Sequence, residues 1–264
     1  MDLILLLNSQ TKTLDSTFNL IALALIGFIA GGVNIIAGGG SLLTLPMLIF
    51  LGLPSNVANA TNRVGIFIQN VFAIKAFHSK GVSDFSFGSY LAIPATLGAI
   101  LGAYIAVDIP DDTFNKLLAA IMVIIVVYMI FKPKINPQHL QEKKTGKSFW
   151  ISILVFFGIG FYGGAIQAGV GFLMIMAMTG INKFSLVKTN AVKLLVTLIY
   201  SIPVLFIFIK NGLVNWKYGL ILAAGNALGA WLMSRYAVKK GDGFVRILLI
   251  IIVSILAVVL WFYK

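Results

Sequence analysis

Cysteine is absent from the chain, and acidic residues are scarce. The lack of thiols excludes a disulfide, a thiolate metal site and a persulfide relay through the protein. All eight acidic residues fall in tails, loops or predicted helix ends: Asp2, Asp15, Asp84, Asp108, Asp111, Asp112, Glu142 and Asp242. A proton relay or a sodium site in the middle of a hydrophobic segment therefore has no carboxylate to form it.

Charge of either sign is rare, since charged residues make up 11% of the 264-residue chain and hydrophobic residues 59%. The mean hydropathy of +1.00 lies outside the range of soluble domains and predicts a multi-pass protein of the cell membrane, in contact with lipid. The net charge of +12 does not indicate nucleic acid. Its lysines lie mostly in short loops, and no basic face with interleaved aromatic residues is present.

Ten apolar segments follow a predicted N-terminal tail, residues 1–17, in which we expect no cleaved leader. The first half contains segments 18–36, 41–53, 57–77, 85–107 and 113–131. The second half contains segments 149–166, 170–181, 184–209, 216–236 and 243–262. Segments 41–53 and 170–181 are too short to cross about 30 Å of hydrocarbon, so each is interpreted as a half-helix after a glycine break. The predicted fold is all-α, with about 8 to 10 membrane segments.

Residues 132–148 form the longest polar stretch and divide the chain into two predicted membrane repeats, residues 18–131 and 149–264. Five lysines in this short linker predict a cytoplasmic location, because positive residues are retained on that side of a membrane.

Loop charges favour two repeats of opposite orientation. The loop after the fourth segment is acidic in the first half, at 108–112, and basic in the second half, at 235–240. The turn after the short segment is uncharged at 53–57 but carries lysines at 183–188. One pair of matching loops does not fit this interpretation, because both loops carry lysines. These are Lys75 and Lys80 in the first half, and Lys210 and Lys217 in the second half. We favour an inverted repeat of five segments, and the alternative is a parallel repeat of four full spans with a broken first helix.

Two short sequence motifs recur about 130 residues apart. Residues 37–42, AGGGSL, are echoed by residues 168–173, AGVGFL, and Ala60-Thr61-Asn62 is echoed by Lys188-Thr189-Asn190. Two related halves with glycine-broken hydrophobic segments at matching places are typical of a transporter whose site lies between the halves.

A linked series of motifs resembles the sulfite exporter TauE/SafE family. The series comprises residues 31–46 (GGVNIIAGGGSLLTLP), then Gly52-Leu53-Pro54, residues 58–62 (ANATN) and Lys80-Gly81. The likeness covers nearly the whole chain and includes a small-residue run that occurs twice, at 98–103 (GAILGA) and 225–230 (GNALGA).

The second half departs from the family pattern. Gly169-Val170-Gly171 replaces a full glycine triplet, and nothing there matches Pro46. The resemblance implies a membrane transporter. It also implies a substrate class of small sulfur-containing anions more firmly than sulfite itself, with export as the direction. An enzyme is not expected, because the apolar segments contain no pair of acidic residues, no histidine-rich cluster and no Gly-x-Ser-x-Gly motif.

The glycine breaks are candidates for an anion site. Unwound backbone at membrane depth is tolerated only where it is buried in protein or lines a cavity. A helix that restarts at Ser41 or Phe172 would aim its positive dipole end at that cavity. The candidate residues are Asn34, Gly38, Gly39, Gly40, Ser41, Gln167, Gly169 and Gly171. Close helix packing is the alternative, and it is favoured for Gly98, Gly102, Gly225 and Gly229.

Polar residues also share one face of the helix that follows each break. Asn62 and Gln69 stand at i and i+7, next to Asn70, and Asn190 and Lys193 precede Thr197 at helical spacing. The substrate-binding candidates in these helices are Thr61, Asn62, Arg63, Gln69, Thr189, Asn190 and Lys193. Helix capping is the alternative for Thr61 and Thr189.

Arg63 and Lys193 are cations within apolar segments rather than in loops. A charge at the centre of a membrane helix costs roughly 2.5 to 3.5 kcal/mol, so its presence predicts a role in binding. Snorkelling of either side chain to the headgroups is the alternative.

The combined prediction is a secondary transporter of small sulfur-containing anions, sulfite or organosulfonates, that works by alternating access around a midplane site. With no carboxylate in the spans, any coupled proton would travel with the substrate, or transport would be a uniport. A passive anion channel or an importer is the alternative. We expect no metal or cofactor, and the sequence is compatible with a homodimer.

Overall fold

The computed structural model describes residues 16–78, 84–131, 141–236 and 243–262, and each regular element among them is an α-helix. In chain order these helices are α1 Thr17–Ile36, α2 Ser41–Phe50, α3 Ser55–His78, α4 Phe85–Val107, α5 Asp111–Phe131, α6 Lys147–Ala165, α7 Val170–Gly180, α8 Leu186–Lys210, α9 Trp216–Tyr236 and α10 Gly243–Phe262. Of these, α1, α4, α6 and α8 are long and apolar enough to cross a membrane. The predicted all-helical class is confirmed.

Some sequence predictions concern positions outside the described residues. They include the tail up to residue 15, linker residues 132–140, and the loop residues Lys80, Lys239, Lys240 and Asp242.

The helices α6 and α7 form a hairpin. Asn182, in the turn after α7, donates from Nδ2 to the carbonyl oxygen of Lys143 at 3.0 Å and to Ser152 Oγ at 3.0 Å. Because Lys143 and Ser152 flank the beginning of α6, α7 returns to the end of the molecule where α6 starts. We call this the lysine end and define it by residues 84, 141–147 and 182–188.

The turn after α2 lies at the opposite end. The Ser55 backbone N–H donates to Asp111 Oδ1 at 2.8 Å, and the Ser55 hydroxyl donates to Asn115 Oδ1 at 2.9 Å. Asp111 follows the C-terminus of α4, and α4 begins at the lysine end. We call this second end, residues 51–56 and 107–112, the acidic end.

The helices α1 and α2 form a second hairpin that enters from the acidic end. Gly27 on α1 faces Leu222 on α9, and Gly31 faces Asn226 one turn later, so α1 and α9 run parallel. Since α8 begins at the lysine end, α9 begins at the acidic end, and so does α1. The two hairpins therefore approach each other from opposite ends.

Small residues hold the first helix of each hairpin against a neighbour. A Cβ atom added to the glycines of the repeated run would collide with a carbonyl oxygen on the facing helix, α6 or α1. These glycines are Gly98, Gly102, Gly225 and Gly229. Their predicted role in close helix packing is confirmed.

Candidate functional site

The tips of the two hairpins meet at Gly38 and Gly171. A Cβ atom added to Gly38 would lie 2.6 Å from the carbonyl carbon of Gly171, and one added to Gly171 would lie 2.5 Å from the Cα of Gly38. Gly38 also has a φ of +81°, in the left-handed region that favours glycine. Only glycine at both positions allows this backbone-to-backbone contact.

The other glycines of the breaks fill supporting positions. Gly40 and Gly169 are the N-cap residues of α2 and α7. A Cβ on Gly39 would collide with the ring of Phe172, and one on Gly40 would collide with the carbonyl oxygen of Ala30. These glycines allow the chain to reverse direction in a crowded core.

A small polar cavity lies beside this contact. Its volume is about 10 Å³, room for about one water molecule. Both hairpin tips contribute to it, together with α3 and α8. The lining residues are Asn34, Gly38, Ser41, Ile66, Asn70, Gln167, Val170, Gly171, Lys193, Leu194 and Thr197.

Lys193 brings a cation to the cavity, although it is almost completely buried. The helix α8 begins after the N-cap Ser185 and carries Lys193 two turns into the bundle. Its Nζ donates to the carbonyl oxygen of Asn34 at 2.8 Å and to Asn190 Oδ1 at 2.8 Å. The alternative interpretation, that Lys193 snorkels to the lipid headgroups, is therefore wrong.

Gln167 and Asn70 bring amide groups that lack protein partners. Both side chains are 1% exposed, and neither Nε2 and Oε1 of Gln167 nor Nδ2 and Oδ1 of Asn70 forms a hydrogen bond within the protein. Leaving a buried polar group unpaired costs about 1–3 kcal/mol, so such groups call for a partner. Gln167 also adopts a φ of +65°, which is uncommon for a residue with a side chain.

Arg63 lies elsewhere, with no exposed surface at all. Its guanidinium donates to the carbonyl oxygens of Gly163 at 2.9 Å and Gly164 at 2.6 Å, and it faces the ring of Phe208 at 4.9 Å. Asn59 Nδ2 donates to the next free carbonyl, that of Ala165, at 2.7 Å. Arg63 and Asn59 thus satisfy the last carbonyls of α6, where a positive charge also favours the helix dipole.

The two buried cations therefore perform a related task in the two hairpins. Arg63 on α3 holds the C-terminus of α6, and Lys193 on α8 holds the carbonyl of Asn34 in the last turn of α1. Lys193 alone of the two also lines the cavity. Snorkelling is wrong for Arg63 as well.

The residues of the two Thr-Asn pairs do not line the cavity. Thr61 Oγ1 accepts the backbone N–H of Asn215 at 3.0 Å, just before α9, and Asn62 Oδ1 accepts the hydroxyl of Thr44 at 2.6 Å. Capping of its own helix is wrong for Thr189, because Ser185 fills that position. Thr61 lies within α3, and Asn215, whose backbone it binds, caps α9, since Asn215 Oδ1 accepts the backbone N–H of Tyr218 at 3.2 Å.

Six of the site candidates line the cavity: Asn34, Gly38, Ser41, Gln167, Gly171 and Lys193. Asn190 contacts the cavity only through Lys193. The candidates outside the lining are Gly39, Gly40, Thr61, Asn62, Arg63, Gln69, Gly169 and Thr189. Sequence reasoning did not assign Asn70 and Thr197 to the site, although it placed Thr197 on one face with Lys193 and named Asn70 as the neighbour of Gln69. The sequence analysis did not single out Asn59. Its i, i+4 spacing from Arg63 was the pattern that could have indicated a shared role.

A group of ion pairs closes the lysine end. Lys188 Nζ lies 2.9 Å from Asp84 Oδ2 and 2.7 Å from Glu142 Oε2, and Lys144 also pairs with both carboxylates. Partial burial acts to raise the pKa of Asp84, but hydrogen bonds from Lys144 and Lys188 outweigh it and lower the pKa to about 2. The same contacts raise the pKa of Lys144. These pairs join the linker to α4 and α8.

A family model described as sulfite exporter TauE/SafE matches residues 23–260. The chain belongs to the sulfite exporter TauE/SafE family. A protein of Sinorhizobium sp, named probable membrane transporter protein ORF9, is 28% identical over 92% of this chain and 93% of its own length. The probable membrane transporter protein YfcA of Escherichia coli K12 is 27% identical over 88% of this chain and 86% of its own length. No solved structure matches the chain.

Membership in this family agrees with the composition and the fold. The TauE/SafE protein described here is a multi-pass membrane transporter and not an enzyme.

Proposed function

We propose that this TauE/SafE protein is a secondary transporter that exports small sulfur-containing anions, such as sulfite or organosulfonates. The observation that carries the proposal is the cavity between the hairpin tips, where Lys193 and the unpartnered amides of Asn70 and Gln167 converge. A cation and neutral N–H donors in a buried polar space are what an oxyanion requires. The family to which the chain belongs supports the choice of sulfur chemistry.

The two half-helices add to the positive character of the site. Ser41 and Val170 are the first residues of α2 and α7, and both line the cavity. The positive ends of two helix dipoles therefore face the same space, as in other anion sites at helix N-termini.

An inverted repeat of α1–α5 and α6–α10 fits the packing of the helices. The helix α1 packs on α9 as α6 packs on α4, and α3 packs on α9 as α8 packs on α4. The two hairpins enter from opposite ends, which a parallel repeat of four spans per half would not produce. We propose that the lysine end is cytoplasmic, because its lysines obey the positive-inside bias.

The size of the cavity supports alternating access. A volume of about 10 Å³ is too small for a sulfur oxyanion, so substrate entry requires the hairpin tips to separate. Opening of the α1–α2 hairpin would expose the cavity toward one end, and opening of the α6–α7 hairpin would expose it toward the other. We propose that these tips are the two gates.

Counterflow in proteoliposomes tests the proposal. We expect labelled sulfite to enter vesicles preloaded with unlabelled sulfite, with saturation, and the Lys193→Met variant to reduce the rate by about tenfold or more. Lys210→Met, at an exposed position on the same helix, is the matched control and should transport normally. Export in cells would appear as accumulation of sulfite in a strain that lacks the protein.

The alternatives give different results in the same assay. Flux that does not saturate and shows no counterflow would favour a passive channel, and reduced internal sulfite in the deletion strain would favour an importer. If no sulfur-containing anion is transported, the proposed function is wrong. The homodimer remains a prediction, which light scattering of the purified protein checks.

A further inference from the structure

Lys193 is the one cation among the residues that line the cavity in the described part of the chain. The second cation expected there, Arg63, is occupied by the carbonyl oxygens of Gly163 and Gly164. A substrate between the hairpin tips therefore meets one positive side chain.

Other ionisable groups are placed away from this cavity. The described acids lie at the lysine end, Asp84 and Glu142, or at the acidic end, Asp108, Asp111 and Asp112. In the described core, the other titratable side chains on the elements around the site are Arg63 on α3, Tyr162 on α6 and Tyr200 on α8, and none of them lines the cavity. The α1 and α2 residues that face Lys193, Asn34 and Ser41, are neutral. The charge of a bound anion must therefore be balanced mainly by Lys193.

The remaining donors in the cavity are neutral. Asn70 Nδ2 and Gln167 Nε2 have no partner within the protein, and Ser41 and Thr197 are neutral residues that also line the cavity. Neutral donors can bind the oxygen atoms of a –SO₃ group without adding charge. A dianion would have no second ionised side chain to pair with in this buried site, only the partial positive charges at the N-termini of α2 and α7, which is costly.

We propose that the cavity selects monoanions, namely hydrogen sulfite and short alkanesulfonates, and rejects sulfate and the sulfite dianion. This selectivity rests on the proposed function, because it takes the cavity as the substrate site. Lys193 neutralises the single charge, and the amides of Asn70 and Gln167 bind oxygen atoms. When hydrogen sulfite is the substrate, one proton moves with each sulfur atom, so transport carries a proton without a protein carboxylate.

The test is counterflow of labelled methanesulfonate, which is a monoanion at every pH used. Ethanesulfonate, sulfate and sulfite are added as competitors at mildly acidic and mildly alkaline pH. We expect sulfate to compete at least about tenfold more weakly than ethanesulfonate. We also expect total sulfite to compete in proportion to its monoanion fraction, which falls as the pH rises, while ethanesulfonate competes equally at each pH. The ethanesulfonate series corrects for any pH effect on the protein.

A second cation in the cavity should change the selectivity. The Asn70→Lys variant adds a second ammonium group, so we expect sulfate to compete more strongly relative to ethanesulfonate than in the wild type. Thr197→Lys is a second variant for the same purpose, and size-exclusion chromatography checks that each is folded. The wild-type competition series decides the question even if neither variant folds.

The outcomes separate this inference from the proposed function. If methanesulfonate or sulfite is transported but sulfate competes as well as ethanesulfonate, the charge selectivity is wrong and the transport function stands. Sulfite competition that is constant or increases with pH has the same meaning. If no sulfur-containing anion is transported, both are wrong.

Discussion

Lys193 Nζ lies 2.8 Å from the carbonyl oxygen of Asn34, across the contact between the two hairpins. The bond joins α8 to the last turn of α1, so a residue of the second half holds the hairpin of the first. Asn34 and Asn190 accept two of the three N–H groups of this ammonium, and Lys193 also lines the cavity. The third N–H group is therefore left for the anion that we propose to bind there, and the same side chain serves the hairpin contact and the proposed site.

Substitution of the central glycines should prevent the hairpin tips from meeting. We expect Gly38→Ala to abolish transport and to destabilise the protein by about 2 kcal/mol or more, because its Cβ would clash with Gly171 and its φ is positive. Thermal unfolding in detergent and counterflow measure the two effects. Gly158→Ala is the matched control, since a Cβ there meets nothing within 4 Å and alanine favours a helix. Normal transport by Gly38→Ala would contradict the assigned contact.

Removal of the Arg63 guanidinium should affect stability more than recognition. Arg63→Met leaves buried carbonyls of α6 unpaired, and we expect a loss of about 2–5 kcal/mol in the free energy of unfolding. The folded fraction of the Arg63→Met variant should still gain thermal stability when sulfite is added. The Lys193→Met variant should lose that gain. Equal loss of the sulfite-induced shift in both variants would place Arg63 in the binding site.

Gln167→Gly should separate stability from transport. The φ of +65° costs a residue with a side chain about 1 kcal/mol, and glycine removes both this strain and an unpaired buried amide. We expect an equal or higher unfolding temperature with transport reduced about tenfold. Asn211→Gly, at a helix end outside the cavity lining, is a comparison variant that should transport normally. A stable Gln167→Gly variant with full transport activity would show that Gln167 does not bind the substrate.

The ion pairs of the lysine end should make stability depend on pH. The pKa of Asp84 is lowered to about 2, so its stabilisation is complete above its usual pKa of 3.8 and is lost as the pH falls toward 2. Asp84→Asn should lower the free energy of unfolding at neutral pH by about 1–2 kcal/mol and flatten the acid limb. Asp112→Asn, which breaks the exposed pair with Lys116, should change little. An unchanged acid limb in Asp84→Asn would contradict the assignment.

The helices and the breaks between them follow from the sequence. Apolar runs long enough to cross a membrane predict helices, and the segment predicted at 170–181 is the helix Val170–Gly180. The positions of the helix breaks were predicted from glycine clusters that lie beside polar residues. Local conformational preference and hydrophobic length act within a segment, so one sequence suffices to locate them.

The partner of each polar residue did not follow from the sequence. Arg63 and Lys193 were both candidates for the site, because both are cations within apolar segments. In the structure, Arg63 donates to carbonyl oxygens at the end of α6, and Lys193 lines the cavity. Gln69 and Asn70 are neighbours on α3, and only the rotation of that helix decides that Asn70 faces the cavity.

The sequence by itself determined an all-helical membrane chain of the TauE/SafE family, with two glycine breaks and two cations within apolar segments. Composition, segment length and motif order are properties of the chain, so they required no coordinates. Tertiary structure alone decided that the breaks touch at Gly38 and Gly171, and that one cation of the two reaches the cavity between them. Which face of a helix meets which neighbour depends on packing between segments more than 100 residues apart, as in the contact of Arg63 with Gly164.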